Sequence, residues 1–134
     1  MILLDTSFII ANSSERDRFH SRALAIEADI GENKHGEPIM TDYIFDEVVT
    51  TTLARTGNLK RAIEMGQMLL DTVTMVKIDL DIFEESWRIF KSQKNARLSF
   101  TDCTIIATCR MNGITSIATF DGELKRLSGL KIVD

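Results

Sequence analysis

Short apolar runs recur along this chain at residues 2–5, 38–40, 73–78, 116–119 and 131–133, and longer stretches with helical periodicity separate them. Strands that short cannot fold back on one another through tight turns when helices intervene. Parallel pairing with helical crossovers is the arrangement that fits. The pattern therefore predicts an α/β fold, a doubly wound and mainly parallel sheet of five short strands, with right-handed crossovers. A length of 134 residues supplies one real core, and no repeat, low-complexity stretch or linker divides it, so one domain over residues 1–134 is expected.

Between the runs, a short helix is expected from Ser7 to about Asn12, and a second over 16–30 with Phe19, Ala23, Ile26 and Ile30 inward. Residues 31–37 read as a turn, and Pro38 opens the second strand where a missing N–H costs least. A helix over 41–56 has Thr41 as N-cap and Gly57 as its stop. The next helix, 58–72, stacks Leu59, Ile63 and Leu70, and the helix over 81–94 turns Phe83, Trp87 and Phe90 inward. A mostly apolar helix over 98–113 closes at Asn112-Gly113, and residues 121–127 form one or two further helical turns.

Composition narrows the classes. No apolar run approaches the roughly 20 residues of a membrane span, and no basic region precedes the first apolar stretch as in a signal peptide, so a cytoplasmic protein with no membrane partner is expected. Cys103 and Cys109 lie on different faces of one helix, which argues against a disulfide between them and for two buried small apolar residues. No Cys/His cluster suggests zinc. His20 and His35 have no partner spacing and read as surface or capping residues. A net charge of −4 and a pI near 5.2 argue against strong nonspecific nucleic-acid binding, although local basic patches can coexist with an acidic total.

The acids carry the functional signal. Asp5 ends the first strand, Asp121 follows the fourth, Asp102 opens the apolar helix, and Asp46-Glu47 lie early in the helix after the second strand. Active sites of open parallel sheets form at the carboxyl ends of the strands, so acids from four distant positions are expected to meet at one edge. Each also has an ordinary use: a helix's first turn favours an acid, and an aspartate before glycine suits a turn. If the four converge, their repulsion raises some pKa values, and a divalent cation relieves it. All-oxygen ligands favour Mg²⁺ or Mn²⁺, ions that activate water and stabilise in-line displacement at a phosphodiester. Thr6, Ser7 and Thr119 are placed to hold the carboxylates or touch a metal through water. Periodicity does not choose between Asp46 and Glu47.

The blocks "LLDTSFIIA", "TDYIFDEVVTTTL", "LSFTDCTIIA" and "SIATFD" resemble, in order and over essentially the whole chain, the PIN domain, especially the compact VapC-like toxin nucleases. The resemblance implies a three-layer α/β/α sandwich with a central parallel sheet of four or five strands. It also implies metal-dependent endoribonuclease activity on RNA, with the chain as toxin of a toxin–antitoxin pair, a separate antitoxin partner, and a homodimer. Position by position, it implies Asp5, Glu47, Asp102 and Asp121 as catalytic and metal-binding acids. Ser7 matches the hydroxyl two residues after the first acid, and Thr119 the threonine of T-x-D. It selects Glu47 over Asp46.

RNA contacts are sought among Arg55, Lys60 and Arg61 around "ARTGNLKR", and Lys91, Lys94 and Arg97 before "LSFTD". Trp87 and Phe90, sharing an inward stripe, read as core and not as a base-stacking platform. A haloacid dehalogenase-type site would need an aspartate where Ser7 stands, a receiver domain would need an acid pair and a late lysine, and no G-x-G-x-x-G or Walker A loop is present. The rival from another class is a catalytically weak or inactive scaffold of the same fold, acting through a protein partner.

Overall fold

The computed structural model describes residues 1–95 and 97–134. They form β1 (Ile2–Leu4), α1 (Thr6–Ser13), α2 (His20–Gly31), β2 (Pro38–Thr41), α3 (Asp42–Thr56), α4 (Leu59–Thr72), β3 (Thr74–Val76), α5 (Leu80–Ser92), α6 (Phe100–Met111), β4 (Ser116–Ala118), a 3-10 turn (Leu124–Arg126) and β5 (Lys131–Val133). The sheet runs β3-β2-β1-β4-β5, and every neighbouring pair is parallel. Helices flank it in a three-layer α/β/α sandwich, as expected.

Why the chain folds this way is visible at the element ends. Asp5, Thr41, Asn58, Asp79 and Ser99 each accept a backbone N–H at a helix start, replacing a bond the helix cannot make for itself. Gly57 stops α3 with φ at 61°, a conformation in which a side chain is strained. The buried strands β1, β2 and β4 contribute Ile2, Leu3, Ile39, Met40 and Ile117 to the centre of the main core. A smaller cluster of Ile82, Ile89, Cys103, Ile106 and Ala107 joins α5 to α6. Both cysteines are buried free thiols, and burial pushes them up to about 11 for Cys103 and about 12 for Cys109.

Two expectations need correction, and a third, the α4 stripe, gains its direction. The second helix starts at His20, not Arg16, because residues 15–19 turn and Asp17 accepts the Phe19 N–H at 2.9 Å. In α5 the buried residues are Ile82, Ser86 and Ile89, while Phe83, Trp87 and Phe90 are 41%, 47% and 37% exposed. In α4, Leu59, Ile63 and Leu70 face out, and Ala62, Gly66 and Leu69 face in. The reason in α4 is proximity. A Cβ on Gly66 would stand 3.1 Å from Val49 Cγ1 and 3.3 Å from the Phe45 ring, so α3 and α4 meet through small residues and the large ones are displaced to the outside. Apolar width located the stripes but not which edge of them the neighbouring helix would cover.

The contrast between core and outward-facing apolar positions is testable. Ile117→Ala, at a fully buried position in β4, should lower stability in urea unfolding by about 2–5 kcal/mol. Ile63→Ala, at a 60% exposed position, should stay within about 0.5 kcal/mol of the parent.

Candidate metal centre

Strand order reverses direction between β1 and β4: the chain moves from β1 through β2 to β3, then returns to the other side of β1 for β4 and β5. Such a switch point opens a crevice beyond the carboxyl ends of the two strands. Parallel register pairs Leu4 with Ala118, so the next residues out, Asp5 and Thr119, lie side by side. The Asp5 N–H donates to the Ala118 carbonyl at 3.0 Å, and the Thr119 hydroxyl donates to Asp5 Oδ2 at 2.7 Å.

Asp5 is only 4% exposed. Its Oδ2 also accepts the Ser7 hydroxyl at 2.5 Å and the Ser7 N–H at 3.3 Å. Ser7 Oγ in turn accepts the Phe120 N–H at 2.9 Å, and Thr119 Oγ1 accepts the Asp121 N–H at 3.0 Å. One network thus fixes the end of β1, the start of α1 and the chain leaving β4. Burial pushes the Asp5 carboxyl above its ordinary value of 3.8, against the bonds from Ser7 and Thr119 that pull it down.

The other acids are each held by bonds of their own. Asp102 Oδ2 accepts the Ser99 N–H at 2.7 Å while Ser99 Oγ accepts the Asp102 N–H at 3.0 Å, a reciprocal capping box that sets the first turn of α6. The Asp102 carboxyl is raised first by burial and further by the negative charges of Asp5 and Asp121, while the bonds from Ser99 lower it. Asp121 Oδ1 accepts the Glu123 and Leu124 N–H groups at 2.6 and 3.3 Å. Glu47 Oε2 accepts the Thr6 hydroxyl at 2.6 Å, whereas Asp46 is exposed to solvent. The helix face therefore presents Glu47, not Asp46, to Thr6 at the start of α1.

Among the described residues no lysine or arginine lies within 4 Å of Asp5, Glu47, Asp102 or Asp121. The donor set is all carboxylate and hydroxyl oxygen and it lacks an internal counter-charge, which fits a hard divalent cation. Among the described residues, however, no three acids, cysteines or histidines stand close enough to hold one ion as they are. Of the cations sought for RNA contact, Arg97 pairs with Glu123 at 3.7 Å, beside the Asp121 turn. Lys94 is exposed just after α5, and Arg55 lies at the far end of α3 from the acids. Ser99 was missed in the sequence, although its S-x-x-D spacing to Asp102 is a recognisable capping signal.

A doubly wound parallel sheet with acidic residues at its switch point defines a class of small α/β proteins. The PIN domain family model matches residues 2–130, and the chain belongs to that family. No curated protein sequence matches the chain significantly. Among solved structures it is similar to VapC20 of Mycobacterium tuberculosis, described as a sarcin–ricin loop cleaving toxin, with 24% identity, TM-score 0.87 and full coverage of both chains. It is also similar to a toxin–antitoxin complex from Klebsiella pneumoniae, at 22% identity and TM-score 0.69 over 98% of this chain and 96% of that one. DNA-bound VapBC from Salmonella typhimurium shares 14% identity and TM-score 0.74 over 98% and 97%. At these identities the likeness is one of fold.

Burial makes a stability prediction with a definite sign. A carboxyl raised in the fold costs nothing below pH 3.8, where the unfolded chain is also protonated, and the cost grows as pH rises through its folded value. Asp5→Asn should therefore unfold at a higher temperature than the parent in metal-free buffer at pH 7, and the gap should close as pH falls toward 3.8. Calorimetric scans across that range test it.

Proposed function

We propose that the chain is a divalent-metal-dependent endoribonuclease that hydrolyses RNA phosphodiester bonds, the toxin component of a toxin–antitoxin pair. The observation that carries this reading is the buried Asp5 at the switch point, with Asp102 near enough to feel the charges of Asp5 and Asp121 and, among the described residues, no lysine or arginine within 4 Å of the three. Asp5, Glu47, Asp102 and Asp121 would hold one or two Mg²⁺ or Mn²⁺ ions. When bound, such an ion supplies an activated water and stabilises charge on the phosphate. Ser7 and Thr119 hold the Asp5 carboxylate in one orientation, Thr6 fixes Glu47, and Ser99 fixes Asp102 through the capping box. Lys94 and Arg97 stand near the Asp102 and Asp121 side of the crevice as contacts for the RNA strand.

The VapC20 and VapBC likenesses support RNA as substrate and a separate antitoxin as partner. A homodimer is supported by two exposed stripes, Leu80, Phe83, Trp87 and Phe90 on α5 and Leu59, Ile63 and Leu70 on α4. Their three- and four-residue spacing is that of helices that pack on other helices. A cytoplasmic location belongs to the same proposal, and among the described residues no helix is long and apolar enough to cross a membrane.

A second reading, a scaffold of the same fold with little catalysis, has one observation in its favour: each acid already has a structural task, three as caps and Glu47 as partner of Thr6. Cleavage of a mixed RNA pool separates the two. With Mg²⁺ or Mn²⁺ the parent should cut, EDTA should abolish cutting, and Asp5→Asn or Asp102→Asn should lower the rate about 10²–10³-fold, the usual cost of removing one charge-stabilising group. Unaltered cutting in the variants would refute the assigned acids. No cutting by any preparation, together with no heat of Mn²⁺ binding, would favour the scaffold.

Metal binding also has a thermal signature. Saturating Mn²⁺ should raise the melting temperature of the parent, since a ligand that binds only the folded state stabilises it, and should leave that of Asp5→Asn nearly unchanged.

A further inference from the structure

We infer that a second site, an arginine cradle at the far end of the α1–α3 seam, holds backbone phosphates of the RNA whose cleavage is proposed above, in a single-stranded stretch. The inference rests on that reading for the identity of the strand. The seam begins at the acidic crevice, where Thr6 of α1 meets Glu47 of α3. It ends in a polar groove of about 500 Å³ bordered by Ser13, Ser14, Arg16, Thr52, Arg55 and Arg61. From Glu47 to Arg55 the helix advances about 12 Å at 1.5 Å per residue, so a strand crossing the crevice reaches the groove within a few nucleotides.

Three features mark the groove as an anion site and not a solvated surface. Arg16, Arg55 and Arg61 come from the turn after α1, the last turn of α3 and the first turn of α4, and all three border one space. None of them makes an ion pair within 4 Å among the described residues, although Glu15 borders the same groove. Arg55 is explained by helix electrostatics, since a cation suits the end of a helix. Arg61 is not: together with Lys60 it occupies the first turn of α4, where no acid is present and a cation opposes the helix dipole. A phosphate resolves that opposition, because it is welcome both at a helix start and within a fork of guanidinium groups. Repeated negative charge along a flexible strand is the ligand that needs three separate arginines. The groove has no aromatic side chain on its border, so it would grip backbone without reading bases.

The test measures binding apart from cleavage. On an Asp5→Asn background in EDTA, the affinity of a fluorescent oligouridylate is followed against salt for the otherwise intact chain, for Arg16→Gln/Arg55→Gln/Arg61→Gln, and for a charge-matched control, Lys34→Gln/Arg110→Gln/Lys131→Gln, at exposed positions away from the groove. Losing three phosphate contacts should weaken binding at least tenfold and lower the slope of log affinity against log salt by about 2, at about 0.7 per contact on single strands. The control should leave the slope unchanged. Equal slopes in all three, or equal loss in the cradle and control variants, would overturn the cradle. So would displacement of the oligouridylate by polyglutamate as effectively as by unlabelled RNA, which would assign the groove to an acidic protein segment. A cradle-dependent slope in a protein that proves unable to cut RNA would sustain the cradle and refute the nuclease, so the two failures remain distinct.

Discussion

A buried carboxylate at the end of the central strand is the constraint on which the rest of this structure depends. Asp5 stands where β1 becomes α1 and beside the chain leaving β4. An ionised carboxylate there is costly unless it is well partnered. Ser7 and Thr119 supply hydroxyls, the α1 start supplies an N–H and the positive end of the helix dipole. These bonds do not fully offset burial, because the Asp5 carboxyl stays above its ordinary range. The geometry of the crevice follows, since Ser7 reaches on to Phe120 and Thr119 to Asp121, so the placement of one charge fixes where the last acid lies.

Capping is the device by which the remaining acids are positioned. A carboxylate on a long free side chain samples many rotamers, and a carboxylate that accepts its own helix's N–H groups does not. Asp102 is held by the Ser99 box and Asp121 by the start of the 3-10 turn. The same bonds that give these residues an ordinary structural reason to exist also preorganise them, with an oxygen of each carboxylate outside the capping bond.

Strands, helices and the placement of Asp5, Asp102 and Asp121 at element ends were legible in the sequence because they rest on local rules: apolar runs, caps, and position relative to strand ends. Thr41, Gly57 and Asn112-Gly113 marked helix ends for the same reason. What failed was orientation. Phe83, Trp87 and Phe90 form an apolar stripe of α5, but α6 covers the neighbouring stripe of Ile82, Ser86 and Ile89. Likewise Gly66 draws α4 close to α3 and turns Leu59 and Ile63 away. Such choices depend on how near two helices approach, which is a tertiary quantity with no local signal. The choice of Glu47 over Asp46 was also beyond periodicity and rested on the family resemblance; in the fold it is Glu47 that accepts the Thr6 hydroxyl. The arginine groove was half legible, as a basic stretch around Arg55 and Arg61, while Arg16 joins it only in three dimensions.

The acidic crevice draws its walls from parts of the fold that open at different free energies. Asp5 and Thr119 sit at the ends of two adjacent central strands, in the core of the sheet, where opening costs most. Asp102 and Asp121 hang from a helix terminus and a single 3-10 turn, elements whose ends fray at far lower cost. Warming or mild denaturant will therefore dismantle this edge from its periphery inward. Two of the four carboxylates will be lost from register while the β1 and β4 amides remain protected, so the crevice behaves as a permanent floor beneath a movable rim.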